Sequence, residues 1–253
     1  MDAEIVRSRH FNSVRGIQFA QSTSVIFTTC GYDDVRLWHH RCDNDLVKIQ
    51  IPNVTFLCVC FNPSRTVMIS GWSDGKIGSF GSESGIIYHV IGDVYKKVSS
   101  VSTFLNSSAI VSGVSEGQLC LWKLNRDSQQ LAATMKVHNM PVTALRVTHD
   151  DLECMSSRSE GQMLTWSLTH NIRLKQLIKT TNIQVIDYLP YSSQFIACGS
   201  DRFAIFFDAF RGNQLCKIEL SDRELFDIAA TTSRIKFVPV AAEQYAKFLY
   251  SKF

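Results

Sequence analysis

Short runs of alternating apolar and polar residues recur along most of the chain, and each run ends at a large aromatic residue. Such alternation is the pattern of a strand with one buried face. The aromatic residues are separated by 42, 42, 44 and 41 positions, and they are Trp38, Phe80, Trp122, Trp166 and Phe207. This period is typical of the four-stranded blade of a WD-type propeller.

Two further apolar strands precede each aromatic strand, and weaker fourth strands are predicted over 46–51, 86–91, 174–178 and 215–220. We therefore predict an all-β fold, a WD-repeat β-propeller spanning residues 1–240, with five clear blades and a partial sixth over 214–240. Most WD propellers have seven or eight blades, so the sequence predicts an incomplete propeller. A fragment, a divergent short form, or an open arc whose strand edges are covered by a partner would each explain this.

The last segment, 241–253, has a different pattern. Tyr245, Phe248 and Leu249 follow the i, i+3, i+4 spacing of one helix face, so we predict a short C-terminal helix. This helix packs on the last blade or docks on a partner, and Tyr245 and Phe248 are therefore candidate partner-binding residues.

A Gly-x-Ser-x-Gly sequence occurs at 71–75 and again at 113–117, and a relative follows at 157–161. Taken once, it resembles the nucleophile elbow of hydrolases. Because it recurs at a nearly constant spacing, it is better interpreted as the turn that each repeating unit needs. Because Ser73 and Ser115 fall between two strands and have equal claim, we predict no enzyme.

The turns carry an acidic residue six positions before the aromatic in four units: Asp74, Glu116, Glu160 and Asp201. Glycines follow three of them and are expected to adopt positive φ: Gly75, Gly117 and Gly161. In WD-type blades this carboxylate binds a histidine of the preceding loop, but only His10 and His138 are suitably placed. In the first unit Tyr32 takes the acidic position, with Asp33 and Asp34 after it. The sequence thus predicts a degenerate polar network.

Three residues in or near these turns are candidate partner-binding residues: Trp72, Arg158 and Arg202. An exposed tryptophan would be a binding hot spot, although a tryptophan at this position also packs between blades. The arginines lie either in solvated loops or on one rim facing an acidic partner. A net charge of +3 does not indicate a nucleic-acid-binding domain.

The eight cysteines fall largely inside predicted strands, and no Cys-x-x-Cys pair is present. We expect buried, reduced thiols and therefore a cytoplasmic protein, with no metal and no cofactor. No stretch approaches the roughly 20 apolar residues of a membrane-spanning helix, so no membrane partner is expected.

Several stretches resemble the WD-repeat cilia- and flagella-associated proteins that lie inside axonemal doublet microtubules near the inner junction. The most specific are Pro-Asn-x-Thr at 52–55 and Trp-x-Asp-Gly-Lys-Ile at 72–77. The others are 29–30, 34–39, 69–71, 112–113, 116–117 and 199–202, with Phe207. The resemblance covers about residues 5–230 and corresponds to part of the family's second, C-terminal propeller.

The resemblance implies a non-enzymatic scaffold of the cytoskeleton, located in the axoneme of a cilium or flagellum, sperm flagella included. Its implied partners are tubulin and other inner proteins of the doublet microtubule. The family has two propellers and more than twice this length, so its first propeller and its closing blades have no counterpart here. The alternative is a soluble WD-repeat adaptor that binds a peptide, as a ubiquitin-ligase substrate receptor or a signalling scaffold does.

Overall fold

The computed structural model describes most of the chain: residues 10, 13–20, 25–39, 45–92, 96–125, 128–136, 138–158, 160–178, 182–189, 193–219, 225–230, 236–241 and 249–250. Within these residues the strands form five four-stranded antiparallel sheets and one three-stranded sheet, as predicted for an all-β propeller. Each sheet consists of strands that are consecutive in the chain, ordered from the centre of the ring outward.

The strands follow the predicted repeat. The first blade consists of Gly16–Phe19 (β1), Ile26–Cys30 (β2), Asp34–His39 (β3) and Asp45–Gln50 (β4). The second consists of Phe56–Phe61 (β5), Val67–Trp72 (β6), Ile77–Gly81 (β7) and Ile87–Ile91 (β8). The third consists of Val98–Thr103 (β9), Ala109–Val114 (β10), Gln118–Leu124 (β11) and Gln129–Lys136 (β12).

The remaining sheets continue the order. The fourth blade consists of Val142–Val147 (β13), Glu153–Arg158 (β14), Gln162–Ser167 (β15) and Ile172–Ile178 (β16). The fifth consists of Ile183–Tyr188 (β17), Gln194–Gly199 (β18), Phe203–Asp208 (β19) and Gln214–Glu219 (β20). The sixth sheet consists of Leu225–Ala230 (β21), Lys236–Ala241 (β22) and Leu249–Tyr250 (β23).

The innermost strands form a closed ring. Each of β1, β5, β9, β13 and β17 contacts the next, and β21 of the sixth sheet contacts both β17 and β1. Of the three explanations offered for a short propeller, the open arc is therefore wrong. The partial sixth unit closes the ring because its first strand fills the position between the fifth and first blades.

The predicted C-terminal helix is also wrong where the structure describes it. Leu249–Tyr250 is a short strand, and it pairs with Lys236 and Phe237. Pairing there satisfies backbone groups on the outer edge of β22, which a helix would leave unbonded. Tyr245 and Phe248 lie outside the described residues, so their partner-binding role remains a prediction.

The repeating aromatic residue fills the core of every blade. Trp38, Phe80, Trp122, Trp166 and Phe207 are all buried. In each blade the pairing of the third and fourth strands shifts register at this residue. A bulge increases the local twist of a strand and redirects a side chain. Because the bulge recurs at the same position in each of the five blades, each aromatic ring is directed into the buried space where it packs. The apolar clusters then run from one blade into the next, as where Leu37 of β3 packs with Phe56 of β5.

Candidate functional site

One face of the ring carries the turns between the second and third strands of each blade. We call it the turn face, and the beginnings of the inner strands lie there too, since the Ser73 amide bonds the Thr55 carbonyl at 2.9 Å. The three glycines of these turns have φ of 92°, 78° and 81°, as predicted for Gly75, Gly117 and Gly161. Ser73 and Ser115 lie in these strand-to-strand turns, and the Ser73 hydroxyl accepts the Thr55 amide at 3.1 Å.

The turn acids pair with nearby basic side chains, and none of these pairs involves the histidine that WD-type blades use. The pairs are Asp74 with Lys76 at 2.9 Å, Glu116 with Lys96, Glu160 with Arg158 at 3.1 Å and Asp201 with Lys217 at 3.6 Å. Three of the acids are substantially exposed, and such surface pairs contribute little to stability. The turn acids are therefore mainly a charged lining of this face.

The first blade nevertheless holds a complete polar network. The His10 imidazole bonds the Asp34 carboxylate at 2.5 Å and the Thr29 hydroxyl at 2.6 Å. The same hydroxyl accepts the indole N–H of Trp38 at 2.8 Å, and Arg36 donates to Asp34 at 2.7 Å. The network connects the loop before β1 to four positions on β2 and β3: Thr29, Asp34, Arg36 and Trp38.

The placement of the acid in this blade differs from the prediction. Tyr32 occupies the predicted acidic position but its side chain is exposed, whereas Asp34 is buried beside His10. Arg36 and His10 both bond that carboxylate, so its burial is compensated. Burial lowers the pKa of His10, and the Asp34 carboxylate opposes that shift.

The fourth blade has a variant of this network around His138, which is 1% exposed. Its ring bonds the Ser156 hydroxyl at 3.0 Å and the amide oxygen of Gln162 at 3.3 Å. Because an amide oxygen only accepts, Nδ1 carries the proton and Nε2 accepts from the serine. Burial lowers the pKa of His138 to about 4. Gln162 thus takes the place that sequence reasoning gave to Glu160.

Trp72 is a correction to the predicted binding surface, since its side chain is only 3% exposed. Its indole donates to the Ser70 hydroxyl at 2.7 Å and its ring packs edge-on against Phe56. The residue is therefore part of the core between strands. Trp72 therefore packs in the core and is not an exposed binding residue.

The two candidate arginines lie on the turn face. Arg158 is half-buried and its guanidinium pairs with Glu160. Arg202 is more exposed, has a left-handed backbone with φ of 64°, and lies 3.8 Å from Glu219. Each arginine belongs to the turn region of its own blade, Arg158 to the fourth and Arg202 to the fifth.

The bulges of the inner strands line the central channel. Register shifts at Leu57, Ser99, Thr143 and Gln184 direct these residues to the channel mouth, where Arg15 of the first blade joins them. The Ser99 hydroxyl donates to the Val142 carbonyl at 2.5 Å and the Thr143 hydroxyl to the Ile183 carbonyl at 2.7 Å. These bonds join the third blade to the fourth and the fourth to the fifth, so the ring is tied at its centre.

The opposite face carries exposed apolar side chains that the sequence analysis missed. Leu105, Leu152 and Phe210 lie in its turns, and Phe210 is the most exposed, at 73%. The Asp208 carboxylate accepts the amides of Phe210 and Arg211 at 2.8 and 2.7 Å, which fixes this turn. The sequence signal that could have indicated this surface is Phe210 itself, an aromatic residue that lies between two predicted strands and outside their apolar alternation.

No group of three or more His, Cys, Asp or Glu side chains in the described part of the chain is arranged to hold a metal ion. The described residues also include no helix that is long and apolar enough to cross a bilayer.

No protein-family model matches the sequence, but individual curated proteins do. The chain is 36% identical over 220 residues to cilia- and flagella-associated protein 52 of Chlamydomonas reinhardtii, which covers 87% of this chain and 36% of that protein. The chain is a homologue of part of cilia- and flagella-associated protein 52. The human protein of that name is 29% identical over 216 residues, covering 85% of this chain and 35% of its own length.

A third relative, protein FIZZY-RELATED 3 of Arabidopsis thaliana, is 27% identical over 179 residues, covering 66% of this chain and 37% of that protein. The chain spans about a third of the length of the curated relatives it matches. Together with the six-sheet ring, these similarities show a WD-repeat type of propeller that resembles part of cilia- and flagella-associated protein 52.

Proposed function

We propose that this protein is a non-enzymatic structural scaffold of the ciliary or flagellar axoneme. It acts as an inner protein of the doublet microtubule that stabilises the inner-junction region through contacts with tubulin and neighbouring proteins. The observation that supports this proposal is the similarity, over 85% or more of the chain, to proteins whose names associate them with cilia and flagella.

A closed ring suits such a role because it is rigid and offers two broad faces. The hydroxyl bonds from Ser99 and Thr143 tie adjacent blades at the centre. On the face opposite the turn face, the Asp151 carboxylate accepts the backbone amides of Leu105 and Asn106 at 2.5 and 3.0 Å and so joins the inner turns of the third and fourth blades. A rigid unit loses little conformational freedom on binding, and weak contacts repeated along a filament reinforce one another.

The absence of catalysis is part of the proposal. The serines of the repeated Gly-x-Ser-x-Gly sequence, Ser73 and Ser115, lie in strand-to-strand turns. A nucleophile elbow instead joins a strand to a helix. Both residues serve the turns, and replacing either by alanine should change stability slightly and abolish no reaction.

The face opposite the turns is the proposed partner-binding face. Phe210 is an exposed aromatic residue held in a fixed turn, and Arg211 lies beside it. Aromatic residues and arginine are the side chains most often found at binding hot spots. An arginine next to an aromatic anchor also suits an acidic surface such as that of tubulin.

The test is fractionation of flagellated cells that express the tagged protein, by detergent extraction followed by high salt. We expect retention in the salt-washed doublet microtubules, and a shift of Phe210→Asp into the extracted fraction. Tyr32→Asp is the matched control, since Tyr32 is an exposed aromatic residue on the other face. Complete release of the unchanged protein with detergent would refute the microtubule role and favour the soluble adaptor.

A further inference from the structure

A cavity of about 320 Å³ lies between the second and third blades. Its inner walls are apolar and buried, with Ile69 and Ile77 from the second blade and Ile110 from the third. It opens to solvent at the outer strands, where the lining residues Tyr88 and His89 are exposed. No Lys, Arg, Asp or Glu is among the described residues that line it. The cavity therefore has an apolar interior and an uncharged polar mouth.

A small residue in the second blade accounts for one wall of this cavity. The residue immediately before the repeating aromatic is a leucine in the first and third blades, Leu37 and Leu121. Both leucines are buried in the apolar cluster that joins their blade to the next one. In the second blade the same position holds Ser79, which lines the cavity. The Ser79 hydroxyl accepts the His89 amide at 3.1 Å, so its hydrogen bond stays within its own blade.

The facing wall shows a similar change. The inner strand ends in Phe61 in the second blade and in Val147 in the fourth, and each packs in the same cluster as the leucine of the preceding blade. In the third blade the inner strand ends in Thr103, whose hydroxyl donates to the Phe61 carbonyl at 3.0 Å. Large apolar pairs thus fill two neighbouring gaps of the ring, whereas a serine and a threonine flank this one. The cavity follows from these two residues, and the fold itself does not require it.

An apolar void of this size is unfavourable when it is left unfilled. The atoms that line it lose packing contacts on one side, and water needs polar partners, which the isoleucine walls do not provide. An apolar cavity of roughly 150 Å³ holds one benzene ring, so this cavity has room for two fused rings. A charged molecule would lose its hydration there without gaining an ion partner on the wall.

We infer that this cavity is a binding site for a small, uncharged and mainly apolar molecule of about two fused rings. The rings lie between the walls formed by Ile69, Ile77 and Ile110. The polar end of the molecule lies at the mouth, where the His89 imidazole and the Gln129 amide can both donate and accept hydrogen bonds. This inference does not rest on the function proposed above.

Thermal unfolding of the full chain with two matched probes tests the proposal. Indole is uncharged and has one N–H donor, whereas an indole carboxylate is an anion with the same rings. A molecule that binds only the folded chain raises its unfolding temperature as its concentration rises. We expect this shift with indole and a much smaller one with the carboxylate. No shift with indole, or equal shifts with both probes, would overturn the proposal.

Two substitutions fill the cavity with the residues that other blades have. Ser79→Leu and Thr103→Phe should each abolish the shift caused by indole. Ser79→Leu should itself raise the unfolding temperature, because it fills a void. Gln130→Leu, at an exposed position of the outer strand β12, is the control and should respond to indole as the unchanged protein does. A filled variant that folds and still responds fully would place the molecule elsewhere and overturn the proposal.

Methyl NMR of the isoleucine-labelled, unchanged protein locates the bound molecule directly. Indole should shift the methyl signals of Ile69, Ile77 and Ile110, which line the cavity. It should leave those of Ile196 and Ile205 in the fifth blade unchanged. Equal shifts in both groups, or shifts confined to the fifth blade, would contradict binding between the second and third blades.

Discussion

The buried histidine of the fourth blade makes the stability of the propeller dependent on pH in a predictable direction. The His138 ring is enclosed, and the Ser156 hydroxyl donates to the unprotonated Nε2 of the neutral form, whereas the bond to Gln162 opposes the shift by raising the pKa. Burial is the main cause of its pKa of about 4, against 6.5 for an ordinary histidine. Below pH 6.5 His138 is therefore protonated in the unfolded chain but remains neutral in the folded chain until the pH approaches 4.

The magnitude follows from the two pKa values. A lowered pKa of a base stabilises the fold fully above the unfolded value, and that stabilisation is lost as pH falls toward the folded value. Between pH 6.5 and pH 4.5 this single site should remove about 2 kcal/mol from the free energy of unfolding. His138→Gln abolishes this contribution, because glutamine does not titrate. It should cost about 1–2 kcal/mol at neutral pH through weakened hydrogen bonds.

Urea denaturation of both proteins at pH 7.5, 6.5 and 4.5 measures the difference. Other titrating groups, including His10, are common to both proteins and cancel. We expect His138→Gln to be less stable than the unchanged protein at pH 7.5 and about equally stable at pH 4.5. A gap between the two proteins that is the same at every pH would refute a buried neutral histidine.

Three further substitutions test other parts of the fold by the same denaturation assay at neutral pH. Trp122→Phe removes an indole N–H that donates to the Ser112 hydroxyl, whereas the indole N–H of Trp166 has no acceptor in the described residues. Trp122→Phe should therefore lower the free energy of unfolding by about 1 kcal/mol more than Trp166→Phe does. Equal losses for the two variants would contradict this. Gly117→Ala places a Cβ against a backbone carbonyl at positive φ, while the site of Gly92 is open. Gly117→Ala should lose more than 2 kcal/mol and Gly92→Ala should lose little; similar losses would show the turn is not strained. Asp34→Asn leaves a buried arginine with a weaker partner and should cost about 3 kcal/mol; a loss under 1 kcal/mol would refute the importance of the first-blade network.

The blade architecture could be predicted from the sequence because its signal repeats. One aromatic residue near every 42 positions, with alternation before it, predicts the third strand of each blade, and five such strands are present. The fourth strand of the third blade was missed because Gln129–Lys136 contains two alanines and no β-branched run. Tertiary pairing with β11 forms it despite the weak local preference.

Closure of the ring and the details of the polar networks could not be predicted. Closure depends on contact between strands more than 200 residues apart, for which no local pattern exists. In the first blade the turn is shortened, so the buried acid is Asp34 and the position expected for it holds Tyr32. The burial of Trp72 likewise follows from its neighbours Phe56 and Phe80 on other strands.

The most direct test of a structural role in the axoneme is cryo-electron microscopy of doublet microtubules from cells that express the tagged protein. Doublets from cells lacking the protein are the comparison. We predict a ring-shaped density of propeller size, repeated along the inside of the doublet wall near the inner junction and absent from the comparison. Doublets that are identical with and without the protein would contradict the proposed scaffold.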